Sequence, residues 1–197
     1  MRRKIFTQRA ALALLSALQL LFVPANFYST PAAAAPRLNS VQPNIRINSF
    51  LSLDKVQRGR TAQAAVVMDI PHGYHVNSNR PLNKFSVATS LKIDGPGGIR
   101  ISPVSYPRAQ VRKFSFSEDS VAVFEGRAVL RFNVSVPANY RTGVTQLRVR
   151  LRFQSCTDEV CFPPATREIN LPLTVIGADE TSRSINRQIF GGGRRRG

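Results

Sequence analysis

Between Leu147 and Phe153 apolar residues alternate strictly with arginine: Leu147, Val149, Leu151 and Phe153 are interleaved with Arg148, Arg150 and Arg152. Side chains of an extended chain point alternately to opposite faces, so this spacing fixes a strand with one buried and one wetted face. The same period runs through Ala128, Leu130, Phe132, Val134 and Val136, and through Ile169, Leu171, Leu173 and Val175. The segment Thr61–Ile70 places Val66, Met68 and Ile70 on one face, and Ser86–Ile93 does the same with Val87, Leu91 and Ile93. Turn residues separate these runs at Pro71-His72-Gly73, Asp94-Gly95-Pro96-Gly97-Gly98, Pro137-Ala138-Asn139 and Thr142-Gly143. No amphipathic helix interrupts them and no internal repeat is evident. Several short alternating strands with frequent turns predict an all-β fold, an antiparallel immunoglobulin-like β-sandwich, over residues 45–176.

The two ends read differently. Arg2, Arg3, Lys4 and Arg9 precede a short apolar run from Ala10 to Val23, and Ala32 to Ala35 offer small-residue cleavage sites. Residues 1–35 are therefore expected to be a secretory leader, the apolar run being short of the ~20 residues that span a bilayer. Residues 36–44 read as a flexible segment. The remaining chain of about 160 residues suits a single domain able to bury a core without a crosslink. After about Gly177 the apolar pattern fades, and residues 177–197, ending in Arg194-Arg195-Arg196-Gly197, read as a disordered basic tail. The formal charge is +17, and subtracting the four basic residues of the leader leaves +13. Because these charges are dispersed, they say more about solubility than about a particular acidic partner. The basic tail offers peripheral contact with an anionic surface. The expected location is extracytoplasmic.

The only two cysteines of the chain, Cys156 and Cys161, lie between the strands Leu147–Phe153 and Ile169–Val175. A four-residue loop between antiparallel strands would set them opposite each other, with Cα atoms ~4.5–5.5 Å apart, a spacing a disulfide accepts. Closing so small a loop stabilises by only ~2 kcal/mol in the chain-entropy model. A staple gains more from joining distant strands, whereas an exchanging pair gains from being local. Spacing alone leaves both roles open. Asp158 and Glu159 inside the loop disfavour a thiolate, so a free thiol here is expected to react slowly until a partner docks. Pro163 and Pro164 stiffen the exit of the loop.

The run Phe153-Gln154-Ser155-Cys156-Thr157-Asp158-Glu159-Val160-Cys161-Phe162-Pro163-Pro164 resembles the active-site hairpin of the N-terminal domain of the thiol:disulfide interchange protein DsbD. The run Gly73 to Pro81, with its glycine and aromatic opening a strand, resembles an earlier motif of that family, and the similarity extends over roughly residues 45–175. The resemblance implies an immunoglobulin-like periplasmic domain that relays reducing equivalents through Cys156 and Cys161. In the family, reductant arrives from a membrane and thioredoxin-like module and passes on to exported disulfide-containing proteins. By analogy Cys161 forms the mixed disulfide and Cys156 resolves it. The family shields its cysteines with a loop bearing an aromatic residue, and Phe114 or Phe116 stands in the matching region; their spacing equally suits two core residues on one strand face. There are departures. Some members carry one more residue between the cysteines, and Ser155 stands where glycine occurs. The membrane-spanning and thioredoxin-like modules are not in these 197 residues, so a separate chain is expected to recharge the pair.

Other chemistry is thinly represented. His72 and His75 are the only histidines, and His-x-x-His beside a turn is a weak ligand set, so neither a metal nor a cofactor is expected. His75 is a candidate for the thiol environment. Arg148, Arg150 and Arg152 make a basic stripe with few aromatics beside it, which does not point to nucleic acid. The alternative to a redox carrier is a non-catalytic immunoglobulin-like binding module whose disulfide is structural.

Overall fold

The computed structural model describes residues 43–191. In chain order the strands are β1 (Arg46–Leu51), β2 (Val56–Gln57), β3 (Thr61–Asp69), β4 (His75–Asn77), β5 (Ser90–Asp94) and β6 (Arg100–Ile101). They continue as β7 (Gln110–Arg112), β8 (Val121–Phe124), β9 (Arg127–Ser135), β10 (Gly143–Phe153), β11 (Ser155–Cys156) and β12 (Ala165–Ile176), followed by one helical turn, α1 (Arg187–Phe190). They form three sheets, with strand orders β1-β3-β9-β6, β2-β12-β10-β5 and β11-β4-β8-β7. All pairings are antiparallel except the short parallel contact of β2 with β12. This is the immunoglobulin-like β-sandwich expected from the alternation.

The alternating residues meet where the period places them. Leu147, Val149, Leu151 and Phe153 of β10 face Leu130, Phe132 and Val134 of β9 and Val66 and Met68 of β3 in one buried cluster. Leu171, Leu173 and Val175 of β12 complete it, with Leu147 directly opposite Leu171 across the ladder. Each such side chain, withdrawn from water, contributes roughly 1.5–3 kcal/mol. The intervening arginines stay wet, and the Arg150–Glu168 pair at 3.0 Å is exposed on both sides, so it adds little to stability.

Two segments depart from the sequence reading. The strand expected over Ser86–Ile93 begins only at Ser90. Upstream of it, side chains take the backbone groups that a ladder would use. The Asn83 carboxamide accepts from Ser86 N–H, Gln154 Oε1 accepts from Val87 N–H, and Thr89 donates through Oγ1 to the Asn77 carbonyl. The second correction concerns the segment after Gly177, read as disordered. As far as Gly191 it runs back over the outer face of the first sheet. Leu53 and Ser184 form a bridge, Arg183 N–H donates to Asp54, and Asn186 donates to the Leu51 carbonyl. Ile189 of α1 is buried against Ala65 and Val67, with Phe50, Val129 and Phe190 around them. Strand β3 is therefore covered on both faces, which its outward Ala65 and Val67 require. The leader expected at 1–35, the segment 36–44 as far as residue 42, and the basic terminus at 192–197 lie outside the described residues. No helix among the described residues is long and apolar enough to cross a membrane.

The third sheet positions the cysteines. A single residue, Gln154, separates β10 from β11, so the chain steps from the second sheet to the third without a loop. Val76 and Phe124, opposite each other in β4 and β8, turn inward to the main cluster. The alternate residues turn the other way, and Val121 and Val123 join Phe114 in a separate satellite cluster.

Candidate functional site

A tight hairpin presents the two cysteines. Thr157 N–H donates to the Val160 carbonyl at 2.8 Å, and the Thr157 hydroxyl accepts from Val160 N–H at 3.1 Å, closing the turn. Phe162 N–H donates to the Ser155 carbonyl at 2.9 Å. Cys156 and Cys161 are antiparallel bridge partners, joined as a disulfide with Cα atoms 4.0 Å apart. Their environments differ. Cys156 is completely buried, whereas Cys161 is half-buried and lines a cleft of about 290 Å³ with Phe85, Phe116, Asn77 and Gln154. Asp158 and Glu159 are exposed in the turn, and Pro163 is exposed just beyond it.

On the opposite side of β11, Cys156 pairs with His75 of β4. Directly opposed residues project to the same face of a sheet. Cys161, Cys156 and His75 thus form one transverse row. The turn before β4 makes this placement possible: Tyr74 N–H donates to the Pro71 carbonyl at 3.2 Å, with Gly73 at φ 80°, a backbone conformation that favours glycine.

The loop 113–120 between β7 and β8 lies across this row. Phe114 stacks on the His75 ring with centroids 4.0 Å apart, and Phe116 stacks on Phe114 at 5.3 Å. Neither phenylalanine is in a strand or in the main core; Phe114 belongs to the satellite cluster and Phe116 packs against it. The Ser115 hydroxyl donates to the Asp158 carbonyl at 2.7 Å and ties the loop to the cysteine turn. An aromatic pair is worth ~0.5–1.5 kcal/mol beyond its buried area. Phe114→Ala is therefore expected to make local opening over the row about tenfold easier, and to speed reduction of the disulfide by a small thiol by a similar factor. Stopped-flow reduction with dithiothreitol reads this, and an unchanged rate would show that the ring does not guard the bond.

His75 is only 2% exposed, and its Nε2 has no hydrogen-bond partner among the described residues. Burial pushes its pKa below the ordinary histidine value, while the nearby carboxylates of Asp158 and Glu125 act in the opposite direction. Burial thus favours the neutral form of the ring.

Three further contributors have no role in the sequence reading, although Gln154 and Tyr74 stand inside the two runs that carry the resemblance. Gln154 receives Asn77 Nδ2 at 3.0 Å on its carbonyl and donates to the Phe162 carbonyl at 3.1 Å, fastening β4 to both arms of the hairpin. Tyr74 approaches Phe162 with ring centroids 6.1 Å apart. Phe85, 81% exposed, stands at the cleft that reaches Cys161. Only the position of Gln154, two residues before Cys156, gave any hint of the first.

The sequence model described as "Thiol:disulfide interchange protein DsbD, N-terminal" matches residues 48–173. Among solved structures, the reduced DsbD N-terminal domain of Neisseria meningitidis is similar at 17% identity and a TM-score of 0.42, covering 65% of this chain and 85% of that one. The N-terminal periplasmic domain of ScsB from Proteus mirabilis is similar at 11% identity and a TM-score of 0.44, covering 66% of this chain and 46% of that one. No curated protein matches the chain. The family match takes in the sandwich from β1 into β12, the aromatic loop and both cysteines, and on that extent the chain belongs to the family of the N-terminal domain of the thiol:disulfide interchange protein DsbD.

Proposed function

We propose that this chain is an exported thiol–disulfide carrier, working in the periplasm, that passes reducing equivalents between partner proteins through Cys156 and Cys161. The observation that carries the reading is the asymmetry of the pair: a half-buried Cys161 bonded to a fully buried Cys156 on a hairpin outside the main core. Exchange needs a sulfur a partner can reach, and a second sulfur that only the protein itself can use. Cys161 takes the first role and forms the mixed disulfide; Cys156 resolves it. Phe114 and Phe116 shield the row until a partner displaces them. A thioredoxin-like or membrane reductase on a separate chain supplies the electrons, and exported disulfide-containing proteins receive them. No cofactor is needed, because the electrons travel in the sulfur–sulfur bonds.

The reduction potential and the stability of the two redox states test this together. A carrier should equilibrate near about −200 mV and remain folded when reduced, whereas a structural staple sits below about −300 mV. Loss of the bond should cost only ~2 kcal/mol, the entropy of a short closed loop. Equilibration with glutathione buffers, with melting curves of both forms, gives both numbers. A potential in the staple range with unfolding on reduction would establish the disulfide as structural.

A further inference from the structure

His75 is a buried titratable group whose ring supports the aromatic loop through its stack with Phe114. It does not face the main core, as its neighbour Val76 does. Its Nε2 is withdrawn from water with no partner among the described residues, an arrangement that native interiors rarely retain without a use. It stands directly opposite Cys156, on the side away from Cys161. Two stacked phenylalanines keep water off its face. In the disulfide state Cys156 has no proton to offer it. Once the disulfide opens, Cys156 carries one, and the row then holds a thiol at the register position opposite a histidine whose Nε2 has no partner among the described residues.

We propose that His75 is the proton acceptor for the Cys156 thiol, acting in the step that resolves the mixed disulfide. The inference rests on the reading of Cys156 as the resolving sulfur. In that step the Cys156 S–H proton passes to Nε2, and the thiolate so formed attacks the Cys161 sulfur. The bond between Cys161 and the partner breaks as the Cys156–Cys161 bond forms. The pair is oxidised by two electrons, the partner disulfide is reduced, and the partner leaves as a thiolate that takes up the proton. A neutral imidazole suits this task, and burial holds His75 in that form. The charged and titratable groups around it are Asp158 of the cysteine turn, Glu125 just after β8, paired with Arg112 at 3.0 Å, and His72, which with His75 lines a second cleft of about 430 Å³ on the side of the turn before β4. Lys113 precedes the capping Phe114 and is exposed. The two carboxylates favour the imidazolium once it forms, which helps the transfer.

The test follows oxidation of the reduced full chain by glutathione disulfide, with the two steps separated. In a Cys156→Ala background only formation of the mixed disulfide at Cys161 is observed; with both cysteines present the resolving step follows. Replacing His75 by Phe should slow resolution at least tenfold at pH 7 and make its rate rise tenfold per pH unit, following thiol ionisation alone. The wild-type rate should level off above the His75 pKa. Because Phe114 stacks on this ring, the rate of mixed-disulfide formation is measured for each variant in the Cys156→Ala background, and the resolving step is compared after that first step is accounted for. His75→Gln, which can accept a hydrogen bond but not a proton, should behave as His75→Phe in its pH profile. If both variants keep the wild-type profile for resolution, the proposal is wrong while the carrier reading stands. If wild type never forms an adduct with glutathione, the carrier reading itself fails. Should the variants not fold, NMR titration of the His75 ring in wild type decides: its pKa must differ between disulfide and dithiol states, and equal values overturn the assignment.

Discussion

Cys156→Ala is expected to accumulate a partner as a stable mixed disulfide on Cys161, while Cys161→Ala accumulates none. The asymmetry of burial dictates the direction. An attacking thiol must approach along the axis of the bond it breaks, and Cys161 borders an open cleft while Cys156 is sealed between β4 and the hairpin. With Cys156 removed, the adduct has no internal nucleophile beside it and persists until an external thiol arrives. With Cys161 removed, the remaining sulfur is completely buried and exchange falls to the uncatalysed background. Non-reducing electrophoresis of each variant after expression in an oxidising compartment reads the difference. Adducts on Cys161→Ala and none on Cys156→Ala would reverse the roles of the two sulfurs.

The largest expected loss of stability comes from Leu151→Ala. Leu151 lies in β10, fully buried, opposite Leu91 of β5 on one side and within the ladder to β12 on the other. Truncation leaves a void that rigid strands on both sides do not refill, and such changes cost ~2–5 kcal/mol. Whole domains are stable by only ~5–15 kcal/mol. For a chain of this size each kcal/mol lowers the melting temperature by roughly 2–4 °C, so a fall of about 10 °C is expected. The neighbouring Arg150→Ala removes an exposed ion pair and should melt almost with wild type. Equal melting temperatures for the two variants would place Leu151 outside the structural core.

Local period carried most of the fold in the sequence. Strands β9, β10 and β12 announce themselves because neighbouring residues alternate, and a strand with one wet face needs nothing else to be recognised. The segment Ser86–Thr89 alternates too, yet its backbone N–H groups go to the Asn83 and Gln154 side chains and its Thr89 hydroxyl to the Asn77 carbonyl, the last two partners lying 67 and 12 residues away. Residues Ile185, Ile189 and Phe190 lack any period, so the return of the chain over Ala65 and Val67 was invisible; the hint lay instead in β3, whose two faces are both apolar. The cysteines were legible because a turn of four residues fixes their opposition. Phe114 and Phe116 have strand spacing but occupy a loop, where the ring of His75 organises them. Gln154 and Asn77 meet across 77 residues, and nothing local in the sequence signals such a bond.

The third sheet has a consequence beyond chemistry. Its inner face shares the main interior through Val76 and Phe124, while its outer face carries only the small cluster around Phe114, Val121 and Val123, pinned to the cysteine turn by the Ser115–Asp158 contact. The molecule therefore runs on two clocks. Lifting the aromatic loop disrupts few apolar contacts and can be frequent; parting the large sheets disrupts many and stays rare. Under the proposed carrier role, exposure of the sulfurs is in this way separated from exposure of the main core, and the protein is expected to open for exchange many times within a single folded lifetime.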